Sequence, residues 1–381
     1  MQIELGDIWW SLPGPHSFVL DVVDALEAGS SAILALPPTT PAGLRASLIA
    51  NLDLRGMLEW RTVDLSGSGR IAQVLASQLI PLARRPPRAF ANDIALDSGL
   101  RTTVIHVSGI ELETRFTEFA AFFAEFLSCV RHIAKSKRAA PRLIFDLPQA
   151  LLGDSRIGSD RDIVRMFEWR GRVRPSDVQL YVSTRMHGRN GLGPTNLFER
   201  IVVEFAGWDG SMADQLCKWP DADLLHPYAG LQRIARAWEH RSLSWKAGTE
   251  DMFGGRRLSH ILHHVSIGDS QEITKRLWRA HVSEVFPWLE EMRAALIDCF
   301  RDSITLPHVS ENNEVINDAD LLEIGQLYWN LRYLSRLPDA RLQLVFLCRL
   351  ARNDLAHRRP VDTQRLRSLE QEWRSMPGRA K

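Results

Sequence analysis

Apolar positions in the first half of the chain follow two alternating patterns. Short, nearly continuous apolar runs predict buried strands, and the stretches between them carry apolar residues at intervals of three and four, as on one face of a helix. Strands that alternate with helices predict a mostly parallel sheet covered by helices on both faces. The predicted strands are 31–36, 59–65, 102–107, 142–147, 178–184 and 200–205, and the predicted helices are 17–28, 42–52, 71–82, 113–133 and 160–170.

The pattern changes after about Trp219, where helical spacing continues and β-rich runs disappear. A length of 381 residues fits two domains of ordinary size. We therefore predict an α/β domain over residues 1–220, a helical connector over 221–255 and an all-α helical bundle over 256–381. The helices predicted in this half are 228–240, 256–265, 270–282, 287–301, 318–336, 340–357 and 363–374, with a polar loop over 303–317.

Composition narrows the class of protein without selecting a function. Apolar residues make up 45% and charged residues 24% of the chain, as in ordinary folded proteins. The net charge is +1, so any binding of nucleic acid has to come from local positive charge. The N-terminus lacks a signal-peptide pattern, and no run of about 18 apolar residues exists, which predicts a cytoplasmic protein with no membrane partner.

The cysteines give no sign of a metal site or of a disulfide framework. They are widely separated, and none belongs to a CxxC or Cys/His ligand pattern. This spacing argues against structural zinc and predicts buried thiols in a reducing compartment. We also expect no bound metal or cofactor. The cysteines are Cys129, Cys217, Cys299 and Cys348.

The segment with the most chemical information is Leu347–Val361, which contains Arg352-Asn353-Asp354-Leu355-Ala356-His357. The segment resembles the motif of the HEPN superfamily, and this resemblance implies cleavage of RNA without a metal. Such cleavage needs a base for the 2′-hydroxyl proton, an acid for the leaving oxygen and positive charge near the phosphorus. Histidine ordinarily titrates near neutrality and can move protons, while arginine stays charged and grips phosphate oxygens. The neighbouring Arg349, Arg358 and Arg359 add local charge for an RNA backbone.

This segment resembles the signature of the HEPN superfamily, which has an arginine, a polar residue that is often asparagine, three variable residues and a histidine. The helices predicted before it, 320–334 and 340–350, also resemble those that precede the motif in such domains. The resemblance implies a metal-independent RNA endonuclease of a bacterial defence, stress or toxin system. The resemblance also implies a dimer in which two copies of the motif line one cleft. There His357 would act as base or acid, Arg352 would hold the scissile phosphate and Asn353 would position them.

Two less specific interpretations of the motif stay open. Arginine and histidine near a helix C-terminus favour the helix dipole and can cap the last carbonyls, and Pro360 would simply end the helix. The domain would then be a non-catalytic scaffold or binding module of a multi-protein defence complex. The partners expected on the first interpretation are RNA, a second copy of the chain or a larger oligomer, and proteins encoded in the same operon.

The N-terminal half resembles a degenerate P-loop NTPase of the STAND type. A buried strand is followed by the loop Leu36–Leu44 and a helix, but the loop has three prolines and no Gly-Lys-Ser/Thr, so ATP hydrolysis is not expected. Asp146 resembles a Walker-B acid, and Thr184 and Arg185 resemble a sensor position, although Arg185 could instead pair with Asp146. A nucleotide-driven regulator remains an alternative.

A group of three histidines is the other candidate for a metal site. His260, His263 and His264 lie close together in a predicted helix, but no carboxylate falls at a helpful spacing. We therefore predict surface or interface histidines rather than ligands.

Overall fold

The computed structural model describes residues 5–111, 113–133, 140–148, 163–189, 191–238, 242–310 and 312–376. Contacts divide the chain into two compact units. The first unit comprises Met1–Tyr181, Trp208–Ser211 and Arg241–His260, and the second comprises Val182–Gly207, Met212–His240 and Ile261–Lys381. The predicted domains are continuous ranges of sequence, whereas each of these units consists of several separate segments of the chain.

A parallel five-stranded sheet forms the centre of the first unit. Its strands are β1 (Ser31–Ala35), β2 (Glu59–Asp64), β3 (Thr103–Ser108), β4 (Arg142–Asp146) and β5 (Val164–Glu168). They lie in the order β2-β3-β4-β1-β5, and every neighbouring pair is parallel. Parallel neighbours require crossover connections, which here contain helices. The predicted α/β fold with a mostly parallel sheet is confirmed at this level.

Helices cover the sheet because alternate strand residues point to opposite faces. The helices of this region are α1 (Leu5–Trp9), α2 (Pro13–Glu27), α3 (Leu44–Arg55), α4 (Ile71–Leu79), α5 (Ala91–Leu96) and α6 (Glu113–Ile133). One face contributes Ile33, Ile105 and Phe145 to a core with α4, α5 and α6. Phe119 and Phe123 of α6 meet the Phe145 ring edge-on, with ring centroids 4.9 and 5.2 Å apart. The opposite strand positions therefore belong to the other face of the sheet.

Three element predictions in this part of the chain are wrong. Residues 178–184 and 200–205 are not strands but belong to the helices α7 (Pro175–Met186) and α8 (Leu197–Ala206). The predicted helix 160–170 contains strand β5 in its described part, and its first residues lie outside the described residues. Short apolar runs do not distinguish a buried strand from a buried helix. Pro175 at the first helical position was the available signal for α7.

Residues 256–265 form a strand and a helix instead of the one predicted helix. β6 (Glu250–Phe253) and β7 (Arg256–Ser259) make an antiparallel hairpin. Its turn residues Gly254 and Gly255 have φ of 58° and 74°, which glycine adopts without strain.

The rest of the chain is mainly helical, as predicted. Its helices are α9 (Gly210–Cys217), α10 (Asp221–Leu225), α11 (Tyr228–Arg236), α12 (Ile261–Ser266), α13 (Ser270–Phe300), α14 (Ile324–Trp329), α15 (Asp339–Ala356) and α16 (Thr363–Ser375). Helix α13 joins the predicted helices 270–282 and 287–301 and continues through Pro287. A π-helical turn, Asn330–Leu334, extends α14. The predicted loop 303–317 contains a small hairpin of β8 (His308–Val309) and β9 (Val315–Ile316).

In the described part of the chain, no helix is both long enough and apolar enough to cross a membrane.

Candidate functional site

The R-x4-H motif lies at the C-terminal end of α15 and in the turn that follows. The N–H of Arg358 donates to the carbonyl of Leu355 at 3.1 Å, and the N–H of Arg359 donates to that of Asp354 at 2.8 Å. This pair of bonds is a Schellman motif, in which the residue after the cap takes a left-handed conformation. Arg358 occupies that position with φ of 58°, where glycine is usual. The turn therefore has a defined geometry that presents an arginine at a strained position.

Contacts with α13 and α16 fix this turn inside the second unit. The indole N–H of Trp278 donates to the Leu355 carbonyl at 2.8 Å. Past the turn, the N–H of Val361 donates to Nδ1 of His281 at 3.2 Å. Arg365 of α16 forms an ion pair with Asp354, the residue between Asn353 and Leu355. These contacts hold the backbone of the motif and leave its other polar side chains at the surface.

The predicted site residues differ in their engagement. Arg352 pairs with Glu323 at 3.0 Å, with side chains 37% and 65% exposed, so the pair contributes little to stability. The guanidinium of Arg349 lies 5.1 Å from the centre of the Tyr328 ring. Asn353 is half-buried.

The other three predicted residues are free at the surface. His357, Arg358 and Arg359 are exposed, and their side chains have no hydrogen-bond or ion-pair partner among the described residues. The turn therefore offers one imidazole and two guanidinium groups to a ligand.

A single copy of the motif does not form a closed pocket. Positions 352 and 357 are five residues apart, which corresponds to about 140° around an α-helix. Arg352 and His357 thus point in different directions from the end of α15. Any site that uses both residues on one phosphate needs groups from another surface, as a second copy of the chain would supply.

The loop after β1 does not have the geometry of a triphosphate-binding loop. Pro37, Pro38 and Pro41 have no N–H groups, and the N–H of Thr40 is used in a bond of 2.9 Å to the Pro37 carbonyl. The carbonyl of Ala42, near the end of the loop, accepts a 2.8 Å hydrogen bond from the indole of Trp10. The residues present therefore do not fit the nucleotide that the P-loop resemblance implies.

The predicted sensor residues do not follow a strand of the sheet. Thr184 and Arg185 lie on helix α7, and Arg185 forms an ion pair of 3.0 Å with Asp214. The proposed pairing of Arg185 with Asp146 is therefore wrong, because α7 is not a sheet strand. Asp146 ends β4, beside Leu34 of β1.

Several polar and charged side chains near Asp146 were not indicated by the sequence pattern. Loss of hydration at the carboxyl group raises the pKa of Asp146 to about 6. The charge of Glu111 also raises this pKa, and the charge of Arg45 lowers it. The cavity beside Asp146 is also lined by His106 and Trp60. The one sequence signal was His106 itself, a polar residue inside the apolar run of β3.

The clustered histidines do not form a metal site. Nε2 of His260 lies 3.2 Å from Asp209, and Nδ1 of His264 lies 2.9 Å from Asp269. No group of three or more histidine, cysteine or acidic side chains suited to a metal occurs among the residues that the structure describes.

Comparisons with known proteins do not assign the chain to a family. No family model matches it, and no curated protein matches it. It is similar over 86% of its length to 85% of a variant of RuvB from Thermotoga maritima, with 12% identity and a TM-score of 0.29. It is similar over 89% of its length to 93% of the ORC2 protein of Aeropyrum pernix in ADPNP–ADP complexes, with 11% identity and a TM-score of 0.29. Neither similarity assigns a family or a function to the chain.

Proposed function

We propose that this chain is a metal-independent RNA endonuclease whose R-x4-H motif acts in a dimer, as the resemblance to the HEPN superfamily implies. The observation that carries the proposal is the exposed turn Arg352–Arg359, in which His357, Arg358 and Arg359 have no side-chain partner among the described residues. An exposed imidazole beside arginines can combine proton transfer with phosphate binding.

The reaction assigned to this site is an internal transesterification of RNA. One His357 imidazole takes the proton of a 2′-hydroxyl, whose oxygen attacks the adjacent phosphorus, and the bond to the 5′-oxygen breaks. The imidazolium of the second copy returns a proton to that leaving oxygen. The products are a 2′,3′-cyclic phosphate and a 5′-hydroxyl, and no metal is required.

Arginines stabilise the negative charge that develops on the phosphate oxygens. Arg352 holds the scissile phosphate, which has to replace Glu323 as its partner. Breaking the pair with Glu323 costs little free energy, because an exposed ion pair contributes at most about 1 kcal/mol. Arg358 and Arg359 bind flanking phosphates, and Asn353 orients the groups around the reacting bond.

One observation favours a second candidate function, a non-catalytic RNA-binding or scaffold module. Arg349 and Arg352 already contact Tyr328 and Glu323 within the same unit. If these contacts persist with RNA present, the turn has cationic charge for binding but lacks the arginine that would stabilise the reacting phosphate.

The test is cleavage of a mixed RNA pool in EDTA by the native protein, His357→Ala and Arg352→Ala. We expect cleavage by the native protein in EDTA and a loss of about 100-fold or more in each variant, the scale typical of general acid–base groups. The matched controls are His187→Ala and Arg256→Ala, two exposed residues outside the motif. Both controls should keep native activity. Cleavage that requires Mg²⁺, or that survives in His357→Ala, would contradict the proposal, and RNA binding without cleavage would favour the scaffold module.

A further inference from the structure

A small cavity opens at the carboxyl end of the parallel sheet in the first unit. It has a volume of about 230 Å³ and lies on the sheet face opposite the α4–α6 core. The edge where the strands of an open parallel sheet end is the usual place for a ligand in α/β folds. The residues that matter for its chemistry are Thr40, Arg45, Trp60, His106 and Asp146.

Part of the cavity lining is suited to an anion. Helix α3 begins beside it, and its N-cap residue Gly43 has no side chain with which to cap the free N–H groups of the first turn. A side chain could not be added there, since φ is 96° and a Cβ would lie 3.2 Å from Gly6 and Trp10. Arg45, in that first turn, is exposed and has no ion-pair partner among the described residues. Helix N-termini and guanidinium groups both bind carboxylates and phosphates.

A buried polar group independently points to a ligand. His106 is 9% exposed, lines the cavity and has an Nδ1 atom without a hydrogen-bond partner. Burial and the charge of Arg45 lower its pKa to about 4, so the ring is neutral. It stacks on Trp60 at 5.4 Å, which fixes its plane. An unpaired buried nitrogen is costly, and a polar ligand atom would satisfy it.

The lining of the cavity also includes a group suited to a cation. Asp146 lies there, and the charge of Glu111 is close enough to raise the pKa of its carboxyl group. The charge of Arg45, which lines the same cavity, lowers that pKa, and no ion pair joins Arg45 to Asp146 among the described residues. A cavity lined by a guanidinium and a carboxylate matches a small ligand that carries both charges.

We propose that this cavity binds a free amino acid or a similarly small zwitterion. Its carboxylate contacts Arg45 and the first turn of α3, its ammonium group contacts Asp146 and donates to Nδ1 of His106, and its side chain packs against Trp60. The volume is below the roughly 300–1,000 Å³ typical of drug-sized ligands, which excludes a nucleoside triphosphate. The proposal does not depend on the ribonuclease activity of the second unit.

The test is saturation-transfer NMR and thermal unfolding of the full chain with each standard amino acid. We expect at least one amino acid to bind and to raise the Tm. Its N-acetyl and carboxamide derivatives, which each lack one charge, should bind about tenfold more weakly or worse. Arg45→Gln and Asp146→Asn should weaken binding similarly, and Arg101→Gln, an exposed arginine at the opposite edge of the sheet, should not.

Three results would overturn this assignment. They are the absence of binding by every amino acid at millimolar concentration, undiminished binding of the N-acetyl derivative, and displacement of the bound amino acid by ATP with Mg²⁺. Unchanged near-UV circular dichroism in the two variants separates a lost site from a lost fold.

Discussion

At the scale of single residues, the sequence identified the motif but not its surroundings. Arg352 and His357 were recognisable from their spacing, and the structure places them at the end of one helix and in the following turn. Their contacts with Glu323, Trp278 and His281 are made over long sequence separations. No local pattern encodes such pairs, because they depend on how the helices pack. For the same reason Arg45 and Trp60, which line the cavity beside Asp146, could not be predicted.

Arg358 gives a prediction that separates charge from folding. Replacing it with glycine should raise the free energy of unfolding by about 1 kcal/mol, since a left-handed conformation costs a non-glycine residue about that much. The same change should weaken RNA binding and reduce the slope of log affinity against log salt by about 0.7, the value for one phosphate contact with a single strand. Urea unfolding and RNA anisotropy in the His357→Ala background measure the two effects. A destabilised variant would contradict the description of the turn, and unchanged RNA affinity would contradict the role of Arg358.

At the scale of elements, periodicity predicted the first four strands and the helices between them well, but it divided the longest helix, α13, into two. The helix over 113–133 and the strands near 31, 59, 103 and 142 agree closely with the structure. The errors fall on short apolar segments. A buried helix such as α8 has buried side chains around most of its circumference, so its apolar positions form a continuous run like that of a strand. Its run Ile201-Val202-Val203 favours a strand locally, and packing with α13 makes it helical.

The attachment of the motif to α13 gives a prediction for pH dependence. Nδ1 of His281 accepts the Val361 N–H, and burial lowers the pKa of His281 to about 4 from 6.5. As pH falls, the unfolded chain takes up this proton first, so stability is intact above pH 6.5 and is lost progressively towards pH 4. At pH 5 this group should lower the free energy of unfolding by about 2 kcal/mol relative to pH 7.5.

His281→Gln supplies the control, because its amide oxygen can accept the same bond without titrating. Urea unfolding at pH 7.5 and pH 5 should show a smaller loss in this variant than in the native protein. The remaining loss includes His106, whose pKa burial also lowers to about 4. An equal loss in the native protein and in His281→Gln would show that His281 does not titrate as described.

At the scale of the whole molecule, composition excluded a globally basic nucleic-acid binder but did not indicate where a functional site lies. The net charge of +1 conceals a local group of cations on and after α15. The α/β character of the first half and the helical character of the second were both predictable from the change of periodicity. The sequence did not predict that Trp208–Ser211 and Arg241–His260 belong to the first unit, because their contacts with that unit join residues distant in sequence.

The central claim is that the motif cleaves RNA by transesterification without a metal, and the chemical end of the product tests it most directly. RNA should be incubated in EDTA with the native protein and with His357→Ala, and the 3′ ends of the fragments analysed by mass spectrometry. The account predicts 2′,3′-cyclic phosphate ends from the native protein and no fragments from the variant. Fragments with 3′-hydroxyl ends, or intact RNA from native protein shown to be dimeric and to bind it, would contradict the account.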